Sequence, residues 1–392
     1  IGPDGGDLTA FVQDPTNSNI LYVAPQDYPC RIYKSTDNGN TWFEHGQISS
    51  SIYSMAIAPS NPSILYGSYY SLYKSTNGGA NWTYISLPFS CFIPSIVIDG
   101  TDPNLIHLCG RVYQDSQYVI YYFRSNNGGT SWSYEQVSTD YSYPYCMAVD
   151  PANSNIIYIG GYIRIGSSNY TELFKSSDGG SSWSSIVSGI SGYVRDIEID
   201  PTNSSKVYAG TSGGVYRSTN SGASWTKNNG SVLAYELALD PNNPSTLYAG
   251  YSDRIYKSTD SGVNWTKYTT GLFGGLCYDI GVDHGSSSNV FYIANPGFFR
   301  SSDGGHNWSP SNAGLLIANI NSMTLDPSNP EKMFVGFYNN AMYKTTDATA
   351  KAAGPMAVSW ERIPPFYSCH NIEAIIIKPT NPDRIVAMEG GS

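Results

Sequence analysis

Charge is scarce in this sequence: Asp, Glu, Lys and Arg make up 13% of its 392 residues, with a formal net charge of -10. That sign argues against a nucleic-acid partner and against an anionic membrane surface, since both would repel it. Long apolar runs are missing too. The densest piece, "EAIIIK", is strand-sized, whereas a bilayer needs roughly 18 apolar residues, so no membrane span is expected. Five histidines form no H-E-x-x-H, and six cysteines form no CxxC or metal-type cluster, so no metal site is expected. No phosphate-cradling glycine loop stands outside the repeated turns, and no cofactor is expected. Cys30, Cys91, Cys109, Cys146, Cys277 and Cys369 fit either buried thiols or up to three disulfides. Cys109 and Cys146, in adjacent repeats, are the first disulfide candidates. The chain opens at Ile1 without Met, carries six N-x-S/T sequons and is rich in Tyr, Ser and Asn. An extracellular or cell-surface location is therefore expected.

What is abundant is turn-forming and aromatic: 39 Gly, 23 Pro and 33 Tyr. "YKSTDNGNTW" (33–42) recurs as "YKSTNGGANW" (73–82), "FRSNNGGTSW" (123–132), "FKSSDGGSSW" (174–183), "YRSTNSGASW" (216–225), "YKSTDSGVNW" (256–265) and "FRSSDGGHNW" (299–308). A degenerate eighth copy, "YKTTDATA", starts at Tyr343 and reaches Trp360 after an insertion. All eight tryptophans end such a copy: Trp42, Trp82, Trp132, Trp183, Trp225, Trp265, Trp308 and Trp360. A second motif, "DPTNSNILY" at Asp14 to "KPTNPDRIV" at Lys378, keeps the same beat and reads as a tight turn between strands. Spacings of 40 to 52 residues suit one four-stranded propeller blade each.

The fifth position of the ten-residue motif is Asp37, Asn77, Asn127, Asp178, Asn220, Asp260, Asp303 or Asp347. A catalytic carboxylate would not survive exchange for an amide, but a side-chain oxygen that accepts backbone N–H bonds across a turn would, and the Gly two residues on supplies a positive φ. The motif is therefore structural, with its tryptophan filling the wedge between blades. The Lys or Arg at its second position, such as Lys74, Lys175 and Lys257, reads as a solvated charge.

The S-x-D-x-G-x-x-W pattern resembles the Asp-box, or BNR, repeat of the sialidase superfamily and its relatives. These include xyloglucanase-like glycoside hydrolases, sortilin-type receptors and photosystem-assembly propellers. The resemblance implies an all-β fold, a single β-propeller of four-stranded antiparallel blades spanning 1–392. The repeats fall at about 6–46, 47–87, 88–137, 138–188, 189–229, 230–270, 271–312 and 313–364, with a partial ninth at 365–392. Eight blades are expected; the alternatives are seven plus part of a second propeller, or nine to ten. The last repeat matches only two strands, and "IGPDGG" resembles the tail of a fourth strand, so the chain reads as part of a longer repeating protein or as a ring closed by pairing its ends.

Both motifs lie on one face of such a propeller. The opposite face varies: from the strand-two aromatic position to the motif aromatic, Tyr22 to Tyr33 takes eleven residues, and His107 to Phe123 and Tyr158 to Phe174 take sixteen each. Enlarged loops are expected there in blades one, three and four, and such insertions carry binding function. They hold Tyr113, Tyr118, Tyr141, Tyr143, Tyr145 and Tyr162, flat apolar rings with a hydroxyl that suit a glycan or a protein ligand, or that pack the loops on one another. Asn169 is the best glycosylation acceptor, if the host glycosylates.

Two hypotheses follow: a binding or scaffold module for glycan or protein, with room for further domains or self-assembly, or a glycoside hydrolase of sialidase-superfamily or xyloglucanase-like type. The sialidase likeness implies three convergent arginines and a Tyr–Glu nucleophile, and the early F-R-I-P segment is absent. The xyloglucanase likeness implies paired carboxylates in a cleft between two propellers. Carboxylates outside the repeat roles are Asp27, Asp115, Asp140, Asp196, Asp253 and Asp279; Asp27 and Asp253 fall in the loop after strand two, where that family places its Asp, but neither precedes Gly-Gly. They are the weak catalytic candidates. Convergent carboxylates or arginines at the channel rim would favour the enzyme, and an open aromatic patch would favour binding.

Overall fold

The computed structural model describes residues 8–25, 28–139, 141–228, 232–252, 254–272, 276–294 and 297–312 in full, and the strands between 320 and 389 by their backbone. Seven consecutive four-stranded antiparallel sheets, each in simple sequence order, make the blades of a β-propeller. Their innermost strands are Leu8–Gln13, Ser54–Ile57, Cys91–Ile98, Ser142–Asp150, Val194–Ile199, Glu236–Leu239 and Cys277–Val282. Each packs beside the next, and Cys277–Val282 packs beside Leu8–Gln13, so the ring closes at seven.

The expected eight-bladed ring is thereby corrected. Phe11, Phe291, Phe298 and Trp42 fill the wedge between blade 7 and blade 1. Trp42 donates to the Ser311 carbonyl, and Asn38 donates to the Asp283 carboxylate. The eighth repeat forms a separate four-stranded sheet from Ile320–Asp326, Asn329–Phe337, Met342–Thr345 and Glu361–Ile363. A hairpin, Ile372–Ile377 with Ile385–Glu389, packs its first strand against Ile320–Asp326.

Each strand pair is long enough to alternate buried and half-buried residues, as in Cys91–Ile98, and the buried ones fill the wedges between neighbouring blades. The strand-two aromatic is the centre of each wedge. Tyr22, Tyr66, Tyr158, Tyr208, Tyr248 and Phe291 are all buried, each worth about 1.5–3 kcal/mol of transfer free energy. Tyr66 and Tyr158 donate to the Gly128 and Ser221 carbonyls in the turn of the following blade. Lys74, Lys175 and Lys257 do not point into solvent as the sequence led us to expect. Each lies over its blade's tyrosine and donates to the Gly128, Ser221 or Gly304 carbonyl at 2.8 Å, latching one blade to the next.

The turn of the ten-residue motif is built on its serine as much as on its Asp. Ser35 donates to the Asp37 carboxylate while its oxygen accepts from the Asp37 and Gly39 N–H groups, and Asp37 accepts from Thr41 N. At the Asn copies the amide oxygen does the same work: Asn81 N, Ser131 N and Ser224 N donate to Asn77, Asn127 and Asn220 at 2.9 Å. A backbone bond such as Gly128 N to Asn104 O ties this turn to the Pro/Asn turn, so the two share a face. Gly180 shows why glycine recurs. Its φ is +90°, and a Cβ would lie 2.0 Å from Tyr122 of the preceding blade. Asp347 and Trp360 lie outside the described residues.

On the opposite face, blades 3 and 4 carry long two-stranded hairpins where enlarged loops were expected. Ile106–Gln114 pairs with Gln117–Ser125 around a tight turn at Asp115 and Ser116, whose φ values are +49° and +68°. Asn153–Ile165 pairs with Ser168–Ser176 through Gly166. No helix among the described residues is long and apolar enough to cross a membrane.

Candidate functional site

The mouth of the central channel on the long-hairpin face is a cavity of roughly 260 Å³. Two stacked rings line it, both drawn from the first turns of the innermost strands. The outer collar is Thr9, Tyr53, Pro94, Tyr145, Arg195, Tyr235 and Tyr278. The ring beneath it is Ala10, Ser54, Ser95, Cys146, Asp196, Glu236 and Asp279. Strand register places the second ring at one level: Asp196 opposite Gly210, Glu236 opposite Gly250, Asp279 opposite Ile293, and Cys146 opposite Gly160. Register shifts just ahead of Asp196 and Asp279 insert Arg195 and Tyr278 as extra residues, and such bulges re-aim side chains beside functional sites.

Blades 5, 6 and 7 thus hold an arc of carboxylates, facing small residues from blades 1 to 4. Asp196 accepts from Ile197 N and from Leu237 N of the next blade, both at 2.8 Å. Asp279 repeats the device with Ile280 N and with Phe11 N of blade 1. Burial pushes Asp196 up to about 6 despite those bonds, and burial together with the Asp196 charge lifts Asp279 to about 8. Glu236 takes no hydrogen bond and no ion pair among the described residues; burial, then Asp196 and Asp279, hold it well above the carboxylate range. Glu198, two residues further along the blade 5 strand, is raised by burial and then by Asp196.

The collar continues outward as a ladder of rings and guanidinium groups. Arg195 lies 3.9 Å over Tyr145, 5.1 Å over Tyr235 and 6.0 Å over Tyr193. Tyr193 packs on Tyr162 at 4.9 Å, and Tyr162 stacks on Tyr143 at 4.7 Å with planes 4° apart. Arg111 lies about equally over Tyr118 (4.8 Å), Tyr143 (5.0 Å) and Phe92 (5.2 Å). Guanidinium groups stack on aromatic faces readily, so the ladder joins blades 3 to 6.

Of the tyrosines named from sequence, Tyr118, Tyr143, Tyr145 and Tyr162 are half-buried in this ladder. Tyr113, packed on Tyr118, and Tyr141, bonded to the Ser116 carbonyl, stay 63% and 40% exposed. Asp27, Asp140 and Asp253 lie outside the described residues, and Asp115 is exposed at a hairpin tip. Asn169 is exposed on the blade 4 hairpin and donates to the Tyr193 hydroxyl. The Cys109–Cys146 disulfide is corrected: both are buried free thiols. Cys109 packs in the wedge between blades 3 and 4, and Cys146 in that between blades 4 and 5, so the two lie on opposite sides of the blade 4 sheet.

Sequence reasoning named Tyr145 of the collar and Asp196 and Asp279 of the ring beneath it, and missed Glu236 and the rest of the collar. The signal was present, since residues four and five positions before the turn residues Asp14, Ala58, Asp99, Asp150, Asp200, Asp240 and Asp283 are the inner ring and the collar.

The molecule is a seven-bladed β-propeller with a polar, aromatic-collared channel mouth. It is similar in fold to the GH74 xyloglucanase from Xanthomonas campestris, with TM-score 0.66 and 13% identity over 99% of this chain and 72% of that one. The extracellular domain of a one-component-system protein from B. thetaiotaomicron matches at TM-score 0.57 and 15% identity, over 97% of this chain and 50% of that one. YCF48 from Cyanidioschyzon merolae matches at TM-score 0.55 and 15% identity, over 77% and 97%. No family model and no curated protein matches the chain in sequence.

Proposed function

We propose that the protein is an extracellular or cell-surface binding propeller that takes a glycan or protein ligand across the hairpins of blades 3 and 4. The observation that carries this reading is the ring-and-guanidinium ladder, which holds Tyr118, Tyr143 and Tyr162 in fixed orientation while Tyr113, Tyr141 and Tyr170 keep 63%, 40% and 52% of their surface open. Rigid aromatic faces with hydroxyl edges bind ligands at small conformational cost. The fold neighbours named above include a xyloglucanase and an extracellular domain. A glycan array probed with wild type and with Tyr141→Ala/Tyr143→Ala tests it. Binding lost in the variant supports the reading, and unchanged binding removes it.

The second reading, a glycoside hydrolase, draws on the carboxylate arc, because an acid kept protonated near neutrality is what such chemistry requires. Three observations weigh against it. Asp196 and Asp279 spend their oxygens on backbone N–H groups; Arg195 is the single arginine lining the cavity among the described residues; and burial pushes Tyr53 and Tyr145 up to about 12, away from a nucleophilic phenolate. Release of reducing sugar from xyloglucan by wild type, abolished in Glu236→Gln, would reverse the order of the two readings.

A further inference from the structure

Arg111 is half-buried in the hairpin surface with rings around it and no counter-charge. Its guanidinium lies over Tyr118, Tyr143 and Phe92, yet it makes no hydrogen bond and no ion pair among the described residues, and its Nε is buried without a partner. Other arginines are served differently. Arg164, Arg217 and Arg300 donate to oxygens, and Arg195 interacts with the Glu236 charge. Register accounts for the placement of Arg111: it lies opposite Phe92 on one side and Ile120 on the other, and the pairing with the inner strand shifts between Cys109 and Arg111, which re-aims the side chain. Rings hold a guanidinium by its face and do not accept from its N–H edge. That edge matches a carboxylate in bidentate fashion, and the rings fix it in advance, so little ordering is left for a ligand to impose.

Open rings flank the cation on both sides. Tyr70 packs on Phe92 at 5.6 Å and Tyr113 on Tyr118 at 5.1 Å, and both are exposed, as is Tyr141. The hydroxyls of Tyr118 and Tyr143 have no hydrogen-bond partner among the described residues. Flat rings with polar edges suit the apolar faces of sugars, whereas peptides are read through strand edges, grooves and pockets. The net charge of -10 opposes a polyanion, but at physiological salt such a field fades over about 8 Å, so a single carboxylate answers to the guanidinium that it meets.

We propose that Arg111 is the anion subsite of the hairpin surface and that the ligand is an acidic glycan. The carboxylate of a uronate sugar pairs with the guanidinium edge, and neighbouring sugar rings lie on the exposed tyrosines. This inference rests on the hairpin reading above and narrows its ligand.

Calorimetric titration with glucuronosyl-xylotriose, galacturonosyl-rhamnose and the methyl ester of each tests the proposal, because esterification removes the charge and keeps the sugar. At least one acid is expected to bind tenfold or more tighter than its ester, and added salt to shrink the difference. This comparison is made on wild type and needs no variant to fold. Arg111→Met, which keeps an unbranched stem, is expected to bring that acid down to its ester's affinity, with Arg111→Lys between the two. The proposal is overturned if neither acid binds, if acid and ester bind alike, or if Arg111→Met keeps the preference for the acid. N-acetylated triglycine with a free C-terminal carboxylate, bound through Arg111 while both uronates fail, would overturn the assignment to sugar. Acid and ester bound alike, and both lost in Tyr141→Ala/Tyr143→Ala, would overturn the anion subsite and leave the hairpin reading standing.

Discussion

Ser176 illustrates how the repeat works at the scale of one residue. It is buried, donates to Asp178 and accepts from the Asp178 and Gly180 N–H groups. Ser176→Ala leaves those donors without an acceptor, and urea unfolding is expected to show a loss of about 1–3 kcal/mol. Asp37→Asn, by contrast, is expected to stay within about 0.5 kcal/mol of wild type, because Asn77, Asn127 and Asn220 already fill that position with the same bonds. The exchange of Asp for Asn was visible in the sequence and marked the motif as structural. The serine's role was not, since a hydroxyl that bonds three groups looks the same in sequence as a solvated one. His107 was legible only in part. It stands where other blades have Tyr or Phe, but its ring bonds the Tyr122 hydroxyl at 2.6 Å, and Tyr122 takes over the packing against Trp183 and Gly180.

At the scale of strands and hairpins, the extra length in blades 3 and 4 was plain from residue spacing, but its form was not. Sixteen residues can make a loop or a hairpin, and what decided it was the positive-φ pair at Asp115 and Ser116, residue types that tolerate such turns without announcing them. The innermost strands carry the pH behaviour. Asp196 at about 6 and Asp279 at about 8 stand above the usual 3.8, as do Glu198 and Glu236 above 4.5, with Arg195 facing them from the collar. These carboxyls hold more protons in the folded protein than in the unfolded chain between about pH 4 and 8, so their contribution falls as pH rises through that window, while His107, lowered by burial from 6.5 to about 4, opposes them in its lower half. The turn carboxylates act oppositely and lower. Asp178 and Asp303, at about 2, contribute stability that is lost only as pH falls from about 4 toward 2. Denaturant midpoints are expected to decline from about pH 6.5 to 8, above the His107 window, and Glu236→Gln to flatten the decline; a midpoint rising over that range contradicts the assignment.

For the whole molecule, the repeat count was legible and the ring size was not. Eight copies of a motif do not say where the ring closes. That is decided by the wedge chemistry of Phe11, Phe291 and Phe298 against Trp42, residues that the motif leaves free to vary. Phe298→Ala empties this seam and is expected to cost about 3–5 kcal/mol by thermal or urea unfolding. Reductant is expected to leave the melting temperature unchanged, because Cys109 and Cys146 are free thiols in separate wedges.

One face of the ring is a uniform set of hydrogen-bonded turns, and the opposite face is the proposed binding surface. Hydrogen–deuterium exchange with a bound glycan or peptide ligand tests it most directly. Protection is predicted across 111–122 and 141–172, with none gained in the turns at 35–42, 125–132 or 176–183. Protection gained on those turns, with the hairpins unchanged, would contradict it.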